Sequence, residues 1–279
     1  MSQRDRYEHG VPCWVDTLQP DPDAAVAFYA GVFGWEFGAP GDMPGDPPGR
    51  YFVAQLGGRD VAGVGSLPAD AQPLPPSWNM HVCVDSADDA VAAARGGGGA
   101  VLVEPFDAPP AGRMAVLADP TGAPVCVWQP GVRQGAQLVN EASAWAMSQL
   151  RTPDPERAAA FYGAVFGWTT ETFRAGEGVF TMFRLPGFVG GEPQQPVSRE
   201  VIAAMAAADG DETPRWSADF WVDDVDAVAQ SAERLGGRTV APPFDSPVGK
   251  TAVLADPSGV AFTVSSVPGQ TAERSDATA

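Results

Sequence analysis

The sequence predicts an α+β protein of two tandem, duplicated domains, each made of two β-α-β-β-β modules. Three observations predict it. AVAFYAGVFGWEF (25–37) returns as AAAFYGAVFGWTT (158–170), with Phe28 and Trp35 each 133 positions before Phe161 and Trp168. EPFDAPPAGRMAVLADPTG (104–122) returns as PPFDSPVGKTAVLADPSG (242–259), so the offset holds through the half-chain. Within each half the order strand, helix, strands occurs twice. A period this long means tandem domains rather than a solenoid.

The elements follow in order. CWVDTL (13–18) reads as a strand. Asp21 then N-caps a helix with Pro22 at its first position, and Gly34 supplies a left-handed stop. Ala25, Phe28, Tyr29, Val32 and Phe33 fall on one helical stripe, which reads as core packing. RYFVAQL (50–56) and DVAGVG (60–65) follow, and the order restarts with the strand NMHVCVD (79–85). The helix SADDAVAAAR (86–95) ends at Gly96–Gly99, a helix stop without the setting of a phosphate loop. AVLVEPF, RMAVLAD and APVCVWQ close the half as strands.

The second half repeats the plan with AWAMSQL (144–150), a helix capped by Asp154 and Pro155, and VFTMFRL (179–185). ADFWVDD, VDAVAQSAERLGG, RTVAPPF, TAVLADP and VAFTVSS complete it. SREVIAAMAAAD (198–209) is expected to be an extra helix or an elaborated connection. The domains are expected to span 11–130 and 141–267. Residues 131–140 form the linker, and 1–10 and 268–279 form mobile polar tails.

Of 279 residues 44% are hydrophobic, enough for two cores, and no apolar run reaches the roughly 20 residues that span a bilayer. The formal net charge of −18 disfavours nucleic acid and anionic membrane as partners. Cys13, Cys83 and Cys126 form no C-x-x-C pair, and the N-terminus has no secretory h-region; both fit a cytoplasmic protein. The expected partner is a small-molecule ligand or substrate, and the expected state a monomer or homodimer.

The paired modules, the Phe-Tyr…Val-Phe-Gly-Trp helix end and LADPTG/LADPSG resemble the glyoxalase/bleomycin-resistance/extradiol-dioxygenase group, the vicinal oxygen chelate superfamily. The resemblance implies sheets curved around a pocket. In metal-dependent members it implies His or Glu ligands on four central strands. The matching positions here are Trp14 and Met147, Asn79 and Ser217, Cys126 and Thr263, and residues within 60–65 and 188–192. These are not the carboxylate and imidazole donors that divalent metals want, so no metal and no cofactor are expected.

Side chains two apart on a strand share a face. The concave face implied by the resemblance then gathers Trp14, Asp16, Asn79, His81, Cys83, Cys126 and Trp128 in the first half. In the second half it gathers Met147, Gln149, Ser217, Asp219 and Trp221, with Glu192 nearby. His81 is the candidate general acid/base with Asp16 orienting it, set against a strand histidine satisfied by a neighbour. The cysteines read first as packing residues. Asp219 in an apolar setting could titrate high. The leading reading is a metal-independent enzyme, of lyase, isomerase or cyclase type, acting on a small oxygen-rich or aromatic molecule. The alternatives are a non-catalytic drug-binding or resistance protein, and a metal-dependent lyase or dioxygenase with atypical ligands.

Overall fold

The computed structural model describes residues 3–43, 47–68, 77–175, 178–190, 199–208, 210–246 and 249–267. Four β-α-β-β-β modules follow one another. The first comprises β1 (Pro12–Gln19), α1 (Pro22–Phe33), β2 (Glu36–Phe37), β3 (Gly41–Met43), β4 (Gly49–Leu56) and β5 (Arg59–Ser66). The second comprises β6 (Trp78–Cys83), α2 (Ala87–Gly96), β7 (Ala100–Ala108), β8 (Gly112–Ala118) and β9 (Pro124–Pro130). The third comprises β10 (Trp145–Thr152), α3 (Pro155–Phe166), β11 (Thr169–Ala175), β12 (Gly178–Arg184) and β13 (Val201–Ala207). The fourth comprises β14 (Arg215–Val222), α4 (Val225–Arg234), β15 (Arg238–Ser246), β16 (Gly249–Ala255) and β17 (Ala261–Ser266). Strands β1–β9 form one mixed sheet and β10–β17 another, giving the expected α+β fold. Among the described residues no helix is long and apolar enough to cross a membrane.

The predicted caps form. Asp21 and Asp154 accept from the amides of Ala24 and Arg157, and Gly34 and Gly167 close the helices at φ 71° and 74°. The stripes Ala25–Phe33 and Ala158–Phe166 are buried, as core packing requires.

Two expectations are corrected. Residues 201–207 form β13, not a helix; the strand pairs parallel with β10 and antiparallel with β12. Its alanines favour a helix locally, but the slot beside β10 supplies ladder partners and burial for Ile202–Met205, and that decides the outcome. Its register also shows that VIAAMAA, not 188–192, is the counterpart of DVAGVG. Ala204 faces Gln149 as Gly63 faces Asp16. Glu192 lies outside the described residues.

The chain packs as two compact units that are not the two halves of the sequence. Unit one comprises Met1–Trp14, Asn79–Gly135 and Met147–Ser217, hence the second and third modules; unit two comprises Val15–Trp78, Ala136–Ala146 and Ala218–Ala279, the first and fourth. This pairing explains why Phe-Tyr and LADP recur together. In unit one α2 packs on α3, and the Tyr162 hydroxyl donates to Asp119 Oδ2 (3.2 Å) while accepting from Trp216 Nε1 (2.8 Å). In unit two α1 packs on α4, and Tyr29 donates to Asp256 Oδ2 (2.9 Å). The other oxygen of each aspartate holds its own turn: Asp119 takes the amides of Thr121 and Ala123, and Asp256 those of Ser258 and Val260. The two tryptophans end the motif alike. Trp35 Nε1 donates to the Ser143 carbonyl and Trp168 Nε1 to that of Gly10, both at 2.7 Å.

Candidate functional site

In unit one the site is read from β6 and β9, which run parallel with His81 opposite Cys126 and Cys83 opposite Trp128. Alternation puts Asn79, His81 and Cys83 on one face, with Cys126 and Trp128 beside them. His81 is 4% exposed, and its carbonyl accepts from the Cys13 thiol (3.5 Å). Trp128 is fixed by donation from Nε1 to the Arg133 carbonyl (2.9 Å). The Arg133 guanidinium lies 5.8 Å from the Trp14 ring centroid, within cation–π range. Gly112 is required here, because a Cβ would stand 2.6 Å from the Trp128 ring and 2.5 Å from the Gln129 carbonyl. Met147, Gln149 and Ser217 also belong to unit one, each partly exposed, and the Ser217 hydroxyl donates to the Gln149 carbonyl (3.3 Å).

The three cysteines are buried and form no disulfide. Burial pushes the Cys13 thiol well up, and its hydrogen bond to Cys83 lowers the Cys83 thiol. The Cys83 sulfur lies 3.4 Å from the Tyr7 carbonyl.

Asp16, Asp219 and Trp221 fall in unit two, so the residue expected to orient His81 lies in the other compact unit. There Asp16 is 6% exposed and accepts from the Tyr51 hydroxyl (2.9 Å). Gly63 makes room for that bond, since a Cβ would overlap the Tyr51 oxygen at 2.0 Å. Sequence reasoning missed Tyr51, although its place on β4 opposite Gly65 was a usable signal.

The carboxyl of Asp219 accepts from Ser265 Oγ at 2.9 and 3.0 Å and is pushed up to about 7 by burial, against the opposing pull of that hydroxyl. An unfolded Asp219 ionises near 3.8, whereas the folded one holds its proton until about 7. Stability is therefore fully present below the lower value and is lost as pH rises through the upper one. Asp219→Asn removes this dependence. Urea unfolding should show the variant gaining on the wild type between about pH 4 and 7, by no more than about 4 kcal/mol, and then a constant gap. A gap that does not change with pH would place the folded carboxyl at its ordinary value.

The resemblance implies a metal in some members, and the donor set here does not fit one. Its positions hold indole, thioether, amide, hydroxyl and a single buried thiol. Among the described residues no three His, Cys, Asp or Glu side chains come together as a cluster that could hold an ion.

The glyoxalase-like domain family matches residues 14–128 and again 132–265. CFP32 of Mycobacterium tuberculosis (strain CDC 1551 / Oshkosh), provisionally named a glyoxylase, is 38% identical over 95% of this chain and 97% of its own length. The anthracycline biosynthesis protein DauV of Streptomyces sp. (strain C5) is 32% identical over 93% of this chain and 94% of its own. In fold the chain is similar to the Mn(II)-bound glyoxalase from Novosphingobium aromaticivorans, with a TM-score of 0.62 at 18% identity, over 92% of this chain and 82% of that one. The chain belongs to the glyoxalase-like domain family, as a tandem member of the vicinal oxygen chelate superfamily.

Proposed function

We propose that the protein is a cytoplasmic enzyme that transforms a small, oxygen-rich aromatic molecule by proton transfer, without a metal step. The two family domains span 11–130 and 141–267. His81 is its general acid/base, and the reaction is of lyase, isomerase or cyclase type. Asp16, with Tyr51 donating to it, is a polar contact for a ligand in unit two. Trp14, Asn79, Cys83, Cys126, Trp128, Met147, Gln149 and Ser217 serve as binding residues in unit one, and Asp219 and Trp221 as binding residues in unit two. The observation that carries the reading is the surrounding of His81: an imidazole in unit one, opposite Cys126, in the unit whose Trp14 and Trp128 flank Arg133. Aromatic faces and a cation suit a flat, electron-rich ligand with oxygen substituents. The name of DauV, which ties that relative to anthracycline biosynthesis, supports the same class. The second reading, a protein that only binds such a compound, is favoured by the way Trp128 is fixed in place.

The test is tryptophan fluorescence titrated with an anthracycline aglycone, with the ligand then recovered and its structure read by chromatography and NMR. Saturable quenching is expected, weakened about tenfold or more in Trp14→Ala, or about 1.4 kcal/mol. Recovery of an altered ligand supports the enzyme and recovery of unchanged ligand the binder. Quenching that never saturates would remove the aromatic ligand class.

A further inference from the structure

We propose that unit two carries a second proton-exchange site, in which Asp219 is the acid/base terminus and a row of hydroxyls from Ser265 through Thr251 to Ser246 connects it to solvent. This goes beyond the role given to His81 and rests on separate geometry. The row crosses the sheet strand by strand in the order β14, β17, β16, β15. Asp219 stands opposite Thr263 on β17, and Ser265 lies two residues further on, on the same face. Ser265 is opposite Thr251 on β16, and Ser246 is opposite Gly249 at the sheet edge. The links are Ser265 Oγ to Asp219 at 2.9 Å, Thr251 Oγ1 to Ser265 Oγ at 3.3 Å and Ser246 Oγ to Thr251 Oγ1 at 3.1 Å. The middle two are buried, and Asp219 and Ser246 at the two ends are partly exposed. At rest the single Ser246 proton goes to the Gly249 carbonyl at 2.7 Å, so the hydroxyl turns to Thr251 Oγ1 when a proton enters the row.

The row is absent from the second module. In the second module the matching positions are His81, Trp128, Met114 and Ala108, and they hold no hydroxyl. Duplication kept the strands and changed the line across them.

Each hydroxyl in such a row can receive one proton and pass on another, so a proton reaching Ser246 leaves Ser265 for the carboxylate with no net change in the serines or the threonine. Charged groups nearby are directed elsewhere. Asp245 and Lys250 alternate with Ser246 and Thr251, so they stand on the opposite face, where Lys250 pairs with Asp226 of α4. The two influences on the Asp219 carboxyl are burial and the Ser265 hydroxyl, which together set its midpoint at about 7. A base of that strength, with Trp221 on the same face of β14, suits a neutral, weakly acidic ligand such as a phenol or an enolisable ketone. It disfavours an anion.

The test is a carbon-13 NMR titration of aspartate carboxyls in the full chain, without substrate. One resonance should titrate near pH 7 and vanish in Asp219→Asn. Ser265→Ala should raise its midpoint, and Thr251→Val should raise it too, by about half a pH unit, because a polarised row stabilises the ionised end. Phenol, the probe ligand, should move this resonance and benzoate should not. His81→Gln should leave it unchanged, so the result does not depend on the site in unit one. A midpoint below pH 5, or one insensitive to Thr251→Val, would overturn the relay; an equal response to benzoate would overturn the ligand class.

Discussion

Asp256→Ala should lower the unfolding free energy by about 3–5 kcal/mol, measured by urea denaturation at neutral pH. The side chain is 2% exposed and accepts four hydrogen bonds. Oδ1 takes the amides of Ser258 and Val260, both at 2.9 Å, and Oδ2 takes the Tyr29 hydroxyl (2.9 Å) and Gln19 Nε2 (2.8 Å). Alanine leaves all four donors without that acceptor, three of them in the core, on Gln19, Tyr29 and Val260. One orphaned buried donor costs about 1–3 kcal/mol, and the four share one cavity, so their costs do not simply add. The loss of the carboxylate itself offsets part of the cost, because burying a charge is expensive. Tyr29→Phe removes only one of the four donors and should cost about 1 kcal/mol. Asp119→Ala should behave like Asp256→Ala, since Asp119 makes the same bonds to Thr121, Ala123 and Tyr162. A cost under about 1 kcal/mol for either alanine would mean that the aspartate is not what holds the helix and the turn together.

That prediction marks how far the sequence could be read. The Phe-Tyr stripe, the Asp-Pro caps and the glycine stops are local patterns, and each formed where spacing placed it. The recurrence of LADPTG and LADPSG was visible, but the reason for it was not. Asp119 meets Tyr162 from the other half of the chain, and no periodicity encodes a contact 43 positions away. β13 failed for the opposite reason. Ile-Ala-Ala-Met-Ala-Ala carries a helical preference that only the empty slot beside β10 overrides. At the site, strand alternation put Asn79, His81 and Cys83 on one face. It could not show that Asp16 belongs to a different compact unit, because alternation fixes faces within a strand and not which sheets pack together. The hydroxyl row was hidden in the same way: Asp219, Thr251 and Ser265 lie in three separate segments, and only strand register aligns them.

His81→Gln should reduce kcat on a turned-over substrate by about 10²–10⁴-fold, equivalent to roughly 3–5 kcal/mol of barrier, and leave ligand affinity within a few-fold. Glutamine keeps a similar length and can hydrogen-bond, but it cannot exchange a proton near neutral pH. Binding should survive because the apolar and cation–π surfaces of Trp14, Arg133 and Trp128 are untouched. Asp16→Asn is the control in unit two, because Asp16 and His81 belong to different compact units. Its structural partner is the Tyr51 hydroxyl, which an amide oxygen can still receive, so the fold should hold. An unchanged pH–rate profile is the result expected of a carboxylate whose partner is Tyr51. A displaced profile would tie Asp16 to the proton transfer and overturn that expectation. The binder reading predicts that no rate exists to change and that affinity falls most on removing Trp14 or Trp128. A purely structural His81 predicts that His81→Gln lowers the melting temperature while a stable variant keeps full turnover. That last outcome would end the assignment of His81, because a side chain that exchanges the proton in the reaction cannot be replaced by an amide without loss of rate.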